Sequence, residues 1–329
     1  MGKKIRFGIV GTSAITEWFL NGAAKVNDFE LVAVYSRNIE KAREFGKKYG
    51  ARLFFSDLDE MSKSKEIDAV YIASPNSLHA KQAIICMNNK KHVLSEKAFA
   101  SNTLEARKMI DAANINNVLL MEAMKTTMLP NFNIIKNNLH KIGKIRRYFA
   151  SYCQYSSRYD KYKSGIIENA FKPELSNGAL MDIGVYCIYP MVALFGKPQS
   201  IKAQSYMLET GVDGEGSILF NYGDFDGVIQ YSKIANSYLP SEIQGEEGSI
   251  LIEKINTLKK VTIIYRDGSE EIISQEQEDD DMCYEIQEFI SLIQNNVKES
   301  QVNSHYNSLK VIEIMEEARK QIGLVYLAD

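Results

Sequence analysis

The sequence predicts an α/β domain with a parallel, doubly wound sheet, followed by an α+β domain with a large, open and mostly antiparallel sheet. In the first third, short apolar runs alternate with stretches of helical spacing. After about residue 122, strand-like runs follow one another with few helices between them. The length of 329 residues suits two domains, which we expect at residues 1–122 and 123–329.

The N-terminal strands are predicted from nearly continuous apolar runs, which are typical of parallel strands covered on both faces. The predicted strands are Ile5–Val10, Leu31–Tyr35, Ala69–Ala73, His92–Ser95 and Val118–Met121. Helical spacing of apolar residues predicts helices over Ala14–Val26, Asn38–Tyr49, Leu78–Asn89 and Thr103–Asn114. Strands and helices that alternate at these lengths indicate a sheet built from right-handed crossovers.

In the second domain, the turn-forming segments Gly211–Gly214 and Arg266–Ser269 indicate hairpins. The predicted strands are Arg146–Tyr155, Ile201–Met207, Ser217–Tyr222, Gly227–Ile234, Ser249–Ile252 and Val261–Tyr265. The predicted helices are Ala179–Phe195, Met282–Gln294 and Ser304–Ile322.

Composition and charge exclude several classes of protein. A net charge of −3 argues against a general partner of nucleic acids or anionic membranes. The four cysteines and four histidines have no metal-ligand spacing, so we expect no metal. No signal-peptide pattern follows Met1-Gly2-Lys3, and no apolar run approaches the ~20 residues of a membrane span. We therefore expect a cytoplasmic protein.

The turn after the first strand is a candidate phosphate-binding loop. It reads Gly11-Thr12-Ser13-Ala14-Ile15-Thr16, and the dinucleotide fingerprint would place glycines at 11, 13 and 16. Only Gly11 is present, although Ser13 is small. A helix that begins here would offer backbone N–H groups and a favourable dipole to phosphates. An ordinary strand–helix turn is the alternative interpretation.

The end of the second strand predicts which dinucleotide binds. NAD-binding domains usually place an acidic residue here for the ribose hydroxyls, whereas this chain has Ser36 and Arg37. An arginine can pair with a 2′-phosphate. This favours NADP(H), with NAD(H) possible. A solvated arginine at the start of a helix is the alternative.

Several motifs, taken in order, resemble the Gfo/Idh/MocA family (glucose–fructose oxidoreductase, inositol dehydrogenase and MocA). They lie at residues 8–13, 34–37, 71–79, 92–98, 178–186 and 244–250. The resemblance covers nearly the whole chain. It implies a Rossmann domain and then an α+β domain, whose exposed sheet face forms a homodimer or homotetramer interface.

The resemblance also implies catalytic residues. Glu96-Lys97-Ala98 is similar to the family's Glu-Lys-Pro motif, in which the lysine reaches towards the nicotinamide and the substrate oxygen. Asp182 and Tyr186 lie four apart on a predicted helix and share one face. Tyr186 is the implied proton donor or acceptor, and Lys97 would lower its pKa. Ala98 in place of proline leaves the local backbone open.

Further cofactor contacts are implied at two other strand ends. Ser74, Pro75, Asn76 and His79 belong to the turn that lines the nicotinamide ribose in the family. Glu122 lies at the end of the sixth strand, where the family frequently has Glu-Ala. Ligands bind at the carboxyl ends of strands in open α/β sheets, so both positions suit a cofactor.

Tyrosine at positions 186 and 189, where family members often have His and Asp, weakens the resemblance to inositol dehydrogenases and is closer to the glucose–fructose oxidoreductase and dihydrodiol dehydrogenase branch. That branch often has Trp and Arg where Lys125 and Thr127 stand, so its substrate does not carry over. Tyr152, Tyr155, Tyr159 and Tyr162 could stack on a sugar or an aromatic ring, or belong to an exposed loop.

Together these features predict an NAD(P)-dependent oxidoreductase. It would transfer a hydride between the nicotinamide and a carbinol or carbonyl of a sugar, polyol or related small molecule. Two alternatives stay open. One is a non-catalytic NADP-binding sensor, since fold does not fix function. The other is an enzyme of the trans-dihydrodiol dehydrogenase type.

Overall fold

The computed structural model describes residues 4–329, and the expectation drawn from Met1–Lys3 concerns residues outside this range. The chain forms two compact units. One holds the chain up to Lys125 together with Glu278–Leu309, and the other holds Thr126–Gln277 with Lys310–Asp329. The sequence predicted an uninterrupted second domain from residue 123. Instead, a segment of about thirty residues from the C-terminal part packs with the first unit.

The elements follow the predicted order. The strands are β1 Ile5–Val10, β2 Phe29–Tyr35, β3 Leu53–Phe55, β4 Ala69–Ile72, β5 His92–Glu96, β6 Leu120–Ala123, β7 Ile145–Cys153, β8 Ser200–Met207, β9 Asp213–Asn221, β10 Asp226–Ser232, β11 Ser241–Gly245, β12 Gly248–Ile252, β13 Val261–Tyr265 and β14 Glu270–Ile272. The α-helices are α1 Ala14–Ala23, α2 Ile39–Lys48, α3 Leu58–Lys63, α4 Asn76–Asn88, α5 Thr103–Asn116, α6 Lys125–Met128, α7 Pro130–Asn138, α8 Ser157–Lys163, α9 Val185–Phe195, α10 Cys283–Gln294 and α11 His305–Ile322.

The first unit contains a six-stranded sheet in the order β3-β2-β1-β4-β5-β6, and every strand pair is parallel. The chain adds strands first to one side of β1 and then, from β4 onwards, to its other side. The switch point therefore lies between β1 and β4, as in dinucleotide-binding domains. The predicted fold class of the first domain is therefore confirmed. Its core is aromatic around β1, where the Phe7 ring lies 4.7 Å from that of Phe29 and 5.9 Å from that of Phe289 on α10.

The segment Glu278–Leu309 completes the edge of this sheet. β6 is an edge strand, and an edge strand presents carbonyl groups that need partners. The Asn303 amide donates to the carbonyl oxygens of Glu122 (3.0 Å) and Met124 (3.1 Å). The His305 Nε2 atom lies 3.1 Å from the Leu120 oxygen. These side chains replace the neighbouring strand that β6 lacks.

The second unit contains an eight-stranded sheet in the order β14-β13-β12-β11-β7-β10-β9-β8. Among the strand pairs of residues 4–329 in this sheet, β7–β10 is parallel and the others are antiparallel. The predicted mostly antiparallel sheet is therefore confirmed. Strands β11 and β14 were not predicted, because each is short and largely polar.

The two faces of this sheet differ. Residues paired across neighbouring strands share a face, and Ile218, Ile229 and Ala150 form one buried row on the side where α9 packs. The opposite face carries Leu219 and Tyr206, which are 54% and 61% exposed. The second unit therefore presents an open sheet face.

One helical segment of the second unit departs from expectation. Pro173–Phe195 is long and apolar enough, by length and composition, to cross a membrane, so the expectation that no segment would qualify was wrong. However, 72% of its most apolar window is buried. This burial is typical of a core helix in a globular protein.

Candidate active site

The turn after β1 is shaped by Gly11. Its φ of +115° is unfavourable for other residues, and an added Cβ would lie 2.7 Å from the Ala73 carbonyl oxygen. Helix α1 then begins at Ala14, and the side chain of its N-cap residue Ser13 makes no capping hydrogen bond. Ser13 and Ala14 are exposed, and Thr12 and Ile15 are partly exposed. The first-turn N–H groups are therefore not blocked by a side-chain cap, which suits a phosphate.

The turn after β2 holds its polar residues in a fixed arrangement. The Ser36 hydroxyl accepts from the Asn38 N–H (3.3 Å). Asn38 caps α2 by accepting from the N–H groups of Glu40 (2.9 Å) and Lys41 (3.3 Å). Arg37 lies between them and is exposed. Its guanidinium can thus meet an anion at this strand end.

His79 ties two strand ends together. The ring is fully buried, and its nitrogens lie 2.8 Å from the Ser74 oxygen and 2.9 Å from the Ala98 oxygen. Burial lowers the pKa of His79, so the neutral ring donates one N–H. The tie holds the Ser74-Pro75-Asn76 turn, where α4 begins at Asn76, beside the segment that follows β5.

Glu96 and Lys97 lie at the end of β5. The Glu96 carboxyl accepts from the Tyr71 hydroxyl (2.6 Å) and from the Lys97 N–H (3.2 Å). Burial raises the pKa of Glu96, and the Lys97 charge opposes that shift. The Lys97 side chain is partly exposed, and the peptide bond between Lys97 and Ala98 is cis. Lys97 thus lies at the ligand-binding edge of the sheet with its backbone fixed by a buried acid.

Glu122 on β6 is a second buried acid. One of its oxygens accepts from the Phe99 N–H (3.1 Å), and its hydroxyl partner is Ser308. Burial raises the pKa of Glu122 to about 8, and the nearby Glu96 adds to the shift. Glu122 therefore carries a proton at neutral pH.

Glu285 on α10 is a third buried acid, which sequence reasoning missed. Within residues 4–329 neither of its carboxyl oxygens has a hydrogen-bond partner. Burial, reinforced by Glu96, holds its pKa well above the usual range. No motif marks Glu285, and only its helical spacing among apolar residues signals that it faces a core.

The predicted first-unit residues therefore share one edge. Gly11, Ser36, Ser74 and Lys97 each follow the carboxyl end of a strand of the same parallel sheet, and Glu122 lies at the end of β6. This edge combines a helix N-terminus, an exposed guanidinium and an ammonium. Such a set can bind a dinucleotide phosphate and stabilise negative charge on a reacting oxygen.

In the second unit, a π-helical turn at Leu180–Gly184 leads directly into α9 and carries Asp182. π-Helical turns occur frequently at functional sites. The buried Asp213 carboxylate accepts from the Leu180 N–H (2.7 Å) at the start of this turn. Burial raises the pKa of Asp213 to about 6. Asp213 thereby fixes where the helix begins.

Tyr186 lies one turn beyond Asp182 and is partly buried. Its ring meets that of Tyr152 edge-on at 5.6 Å. Asp182 forms a short ion pair with Lys233, a residue that sequence reasoning missed because no motif marks the loop after β10. Asp182 and Tyr186 therefore lie one helical turn apart within the second unit.

Of the remaining tyrosines of interest, Tyr159 and Tyr162 pack against the core of the second unit, whereas Tyr155 lies nearer the surface, beside the exposed Asp160. Tyr159 and Tyr162 pack on a buried cluster of Ala170, Phe171, Leu208 and Val212. The Tyr155 hydroxyl donates to Asp160 (2.6 Å). Packing accounts for Tyr159 and Tyr162, whereas Tyr152 contacts the candidate catalytic Tyr186.

The doubly wound sheet and its glycine turn define a dinucleotide-binding domain. Together with the following family matches, this makes the protein a nicotinamide-dependent oxidoreductase that acts on CH–OH groups. Residues 5–124 match the model of the GFO/IDH/MocA oxidoreductase family with an NAD-binding Rossmann fold, and residues 138–251 match the model of its C-terminal domain. The chain belongs to this family, as its motifs predicted.

Among its relatives, the Bacillus subtilis protein named scyllo-inositol 2-dehydrogenase (NADP(+)) IolU is 57% identical over 99% of both chains. A Xenopus laevis trans-1,2-dihydrobenzene-1,2-diol dehydrogenase is 29% identical over 98% of this chain and 99% of its own. A solved levoglucosan dehydrogenase in complex with NADH and L-sorbose superposes with a TM-score of 0.86, at 19% identity, over 99% of this chain and all of its own. The last likeness supports the fold alone.

Proposed function

We propose that this protein is an NADP(H)-dependent dehydrogenase of inositols, with scyllo-inositol or a close stereoisomer as its substrate. The observation that carries the proposal is the 57% identity to the Bacillus subtilis enzyme of that name over 99% of both chains. The exposed Arg37 after β2, with Ser36 in place of an acid, supports NADP(H) as the preferred cofactor.

The residues at the strand ends fit such a cofactor. Gly11 leaves room that a Cβ would fill, and α1 offers its uncapped N–H groups to the pyrophosphate. Ser36 and Arg37 would hold the adenosine 2′-phosphate, and Ser74, Pro75 and Asn76 would line the nicotinamide ribose. When bound, the nicotinamide supplies the hydride acceptor.

The chain's own residues would handle charge and protons. We assign to Lys97 the stabilisation of negative charge that develops on the substrate oxygen. We assign to Tyr186 the transfer of the hydroxyl proton, and to Asp182 a contact with the substrate beside it. Glu96 would hold Lys97 in place through the bond from the Lys97 N–H.

The first experiment measures initial rates with NADP+ and NAD+ against scyllo-inositol, myo-inositol, glucose and a trans-dihydrodiol. We expect turnover of an inositol with NADP+ and a much lower kcat/KM with NAD+. Turnover of the dihydrodiol alone would replace the proposed substrate with that of the less similar relatives. Tight NADPH binding without turnover on any member of the panel would favour the non-catalytic sensor.

We also propose that the protein acts in the cytoplasm as a homodimer or homotetramer. The open face of the eight-stranded sheet, with Leu219 and Tyr206 exposed on it, supports this assembly because exposed apolar side chains on one face favour association. Light scattering of the purified protein gives the mass directly. A monomer at micromolar concentration would rule the assembly out.

A further inference from the structure

Lys233 is a buried cation in the second unit. It follows β10, and its side chain is 7% exposed, whereas that of its ion-pair partner Asp182 is 29% exposed. A lysine buried to this degree requires a compensating partner. Its ammonium contacts the Asp182 carboxylate, which is the less buried member of the pair.

The backbone of Lys233 is fixed on both sides. Its N–H donates to the Gly214 oxygen (2.9 Å), and its carbonyl accepts from the Ser156 N–H (2.9 Å). The Lys233 side chain therefore extends from a loop whose backbone is held by two hydrogen bonds. Burial raises the pKa of Asp213 and the Lys233 charge opposes that rise, so that this one cation stabilises the ionised form of two carboxylates.

The helix that carries Asp182 is fixed as well. The Asp182 N–H donates to the Gly178 oxygen (3.1 Å), and the Leu180 N–H donates to Asp213 (2.7 Å). Lys233 thus meets Asp182 between two rigid supports, one helical turn before Tyr186. If the ion pair served stability alone, both charges could be buried. Instead, the Asp182 carboxylate stays partly open to solvent, one turn before the candidate catalytic Tyr186.

We infer that Lys233 is a positioning residue: it fixes the Asp182 carboxylate as the acceptor for a substrate hydroxyl that neighbours the one oxidised. The inference rests on the proposed function, and it adds Lys233 as the residue that orients the bound polyol through Asp182. A vicinal polyol offers such a second hydroxyl, and a charged acceptor binds it more strongly than a neutral one.

The test compares Lys233→Met and Lys233→Arg with the control Lys202→Met, which alters an exposed lysine on β8 of the same unit. We expect Lys233→Met to raise the KM for the polyol about tenfold or more, because a charge-assisted hydrogen bond is lost. The KM for NADP+ stays unchanged. Lys233→Arg restores most of the affinity, and Lys202→Met has no effect.

The decisive comparison places Lys233→Met in an Asp182→Asn background. If Lys233 acts through Asp182, the lysine substitution raises the polyol KM no further in that background. An equal increase in both backgrounds would overturn the inference, as would a rise in the KM for NADP+ of the same size. If Lys233→Met does not fold, as judged by circular dichroism, Lys233→Gln replaces it in the same cycle.

Failure of the proposed function is distinguishable from failure of this inference. If the proposed function fails, the unmodified protein does not turn over inositol, and the role inferred for Lys233 is lost as well. If the inference alone fails, this is seen only in the variants, while the unmodified protein remains active.

Discussion

Lys97 is the residue on which the proposed chemistry depends most. Its ammonium acts on the buried acids Glu96 and Glu122 and lies at the ligand-binding end of β5. We expect Lys97→Ala to lower kcat by about 10²–10³, as does the removal of one electrostatic stabiliser at other active sites. NADPH binding, followed through the fluorescence of Trp18, the only tryptophan, stays within a few-fold.

The control for this variant is Lys81→Ala, which removes an exposed lysine from α4 of the same unit. It is expected to leave both turnover and cofactor binding unchanged. Full turnover by Lys97→Ala would remove Lys97 from the mechanism.

Arg37 decides the choice of cofactor in the proposed function. Arg37→Ala removes an exposed guanidinium that would pair with the 2′-phosphate. We expect a KM for NADP+ at least about tenfold higher and an unchanged KM for NAD+, because a hydrogen bond to a charged group contributes about 1.5–3 kcal/mol. Steady-state kinetics with both cofactors measures this, with the exposed Arg266→Ala as control. An equal loss with both cofactors would mean that Arg37 does not read the phosphate.

At this scale the sequence identified residues that belong to local motifs. Gly11 and Lys97 each follow a strand, so their place at the sheet edge was predictable. Lys233 and Glu285 were not, because their significance comes from burial and from neighbours distant in the chain. Asp182 and Lys233, for example, are 51 positions apart.

At the scale of elements, the helix that carries Asp182 and Tyr186 depends on one glycine. Gly178 has a φ of +146°, and an added Cβ would lie 2.1 Å from the Asp213 Oδ1 atom. We expect Gly178→Ala to lower the free energy of unfolding by about 2–4 kcal/mol, through backbone strain and displacement of the helix-holding carboxylate. Turnover also falls, since the start of the π-helical turn shifts.

Gly196, at the other end of α9, provides a matched control. Its φ is +76°, but an added Cβ would meet nothing within 4 Å. Gly196→Ala is therefore expected to cost only about 1 kcal/mol. Chemical denaturation of both variants measures the difference in the free energy of unfolding. Equal losses of stability would show that the contact with Asp213 does not contribute to the effect of Gly178→Ala.

Elements with strong periodicity were predicted well, and short or polar ones were not. β13 was predicted at its observed bounds, Val261–Tyr265. β11 and β14 were missed because they are largely polar and form through pairing with a neighbouring strand. β3 is apolar but only three residues long, too short for a periodic pattern to show. The π-helical turn was predicted as ordinary helix, since apolar spacing does not distinguish the two.

At the scale of the molecule, the buried acids make stability depend on pH. Glu122 has its pKa raised from 4.5 to about 8, so the folded state keeps a proton that the unfolded chain releases. Its contribution is fully present below about pH 4.5 and is lost as the pH rises through about 8. The free energy of unfolding should fall by up to about 1.4 kcal/mol per pH unit in this window. Glu96 and Glu285 shift in the same direction.

Urea denaturation between pH 5 and 8.5 measures this dependence. Glu122→Gln, which mimics the protonated acid, should flatten the fall, whereas the exposed Glu44→Gln on α2 should leave it unchanged. A pH dependence that is identical in the unmodified protein and in Glu122→Gln would mean that Glu122 is ionised in the fold.

The return of Glu278–Leu309 to the first unit has a consequence for biosynthesis. The Phe289 ring that packs on Phe7, and the Asn303 amide that completes β6, emerge from the ribosome long after the strands they serve. The nucleotide-binding unit therefore cannot close while the chain is still being made, unlike a domain encoded without interruption. Until about residue 309 has been translated, the surfaces of the nascent sheet that this late segment covers in the folded protein stay exposed.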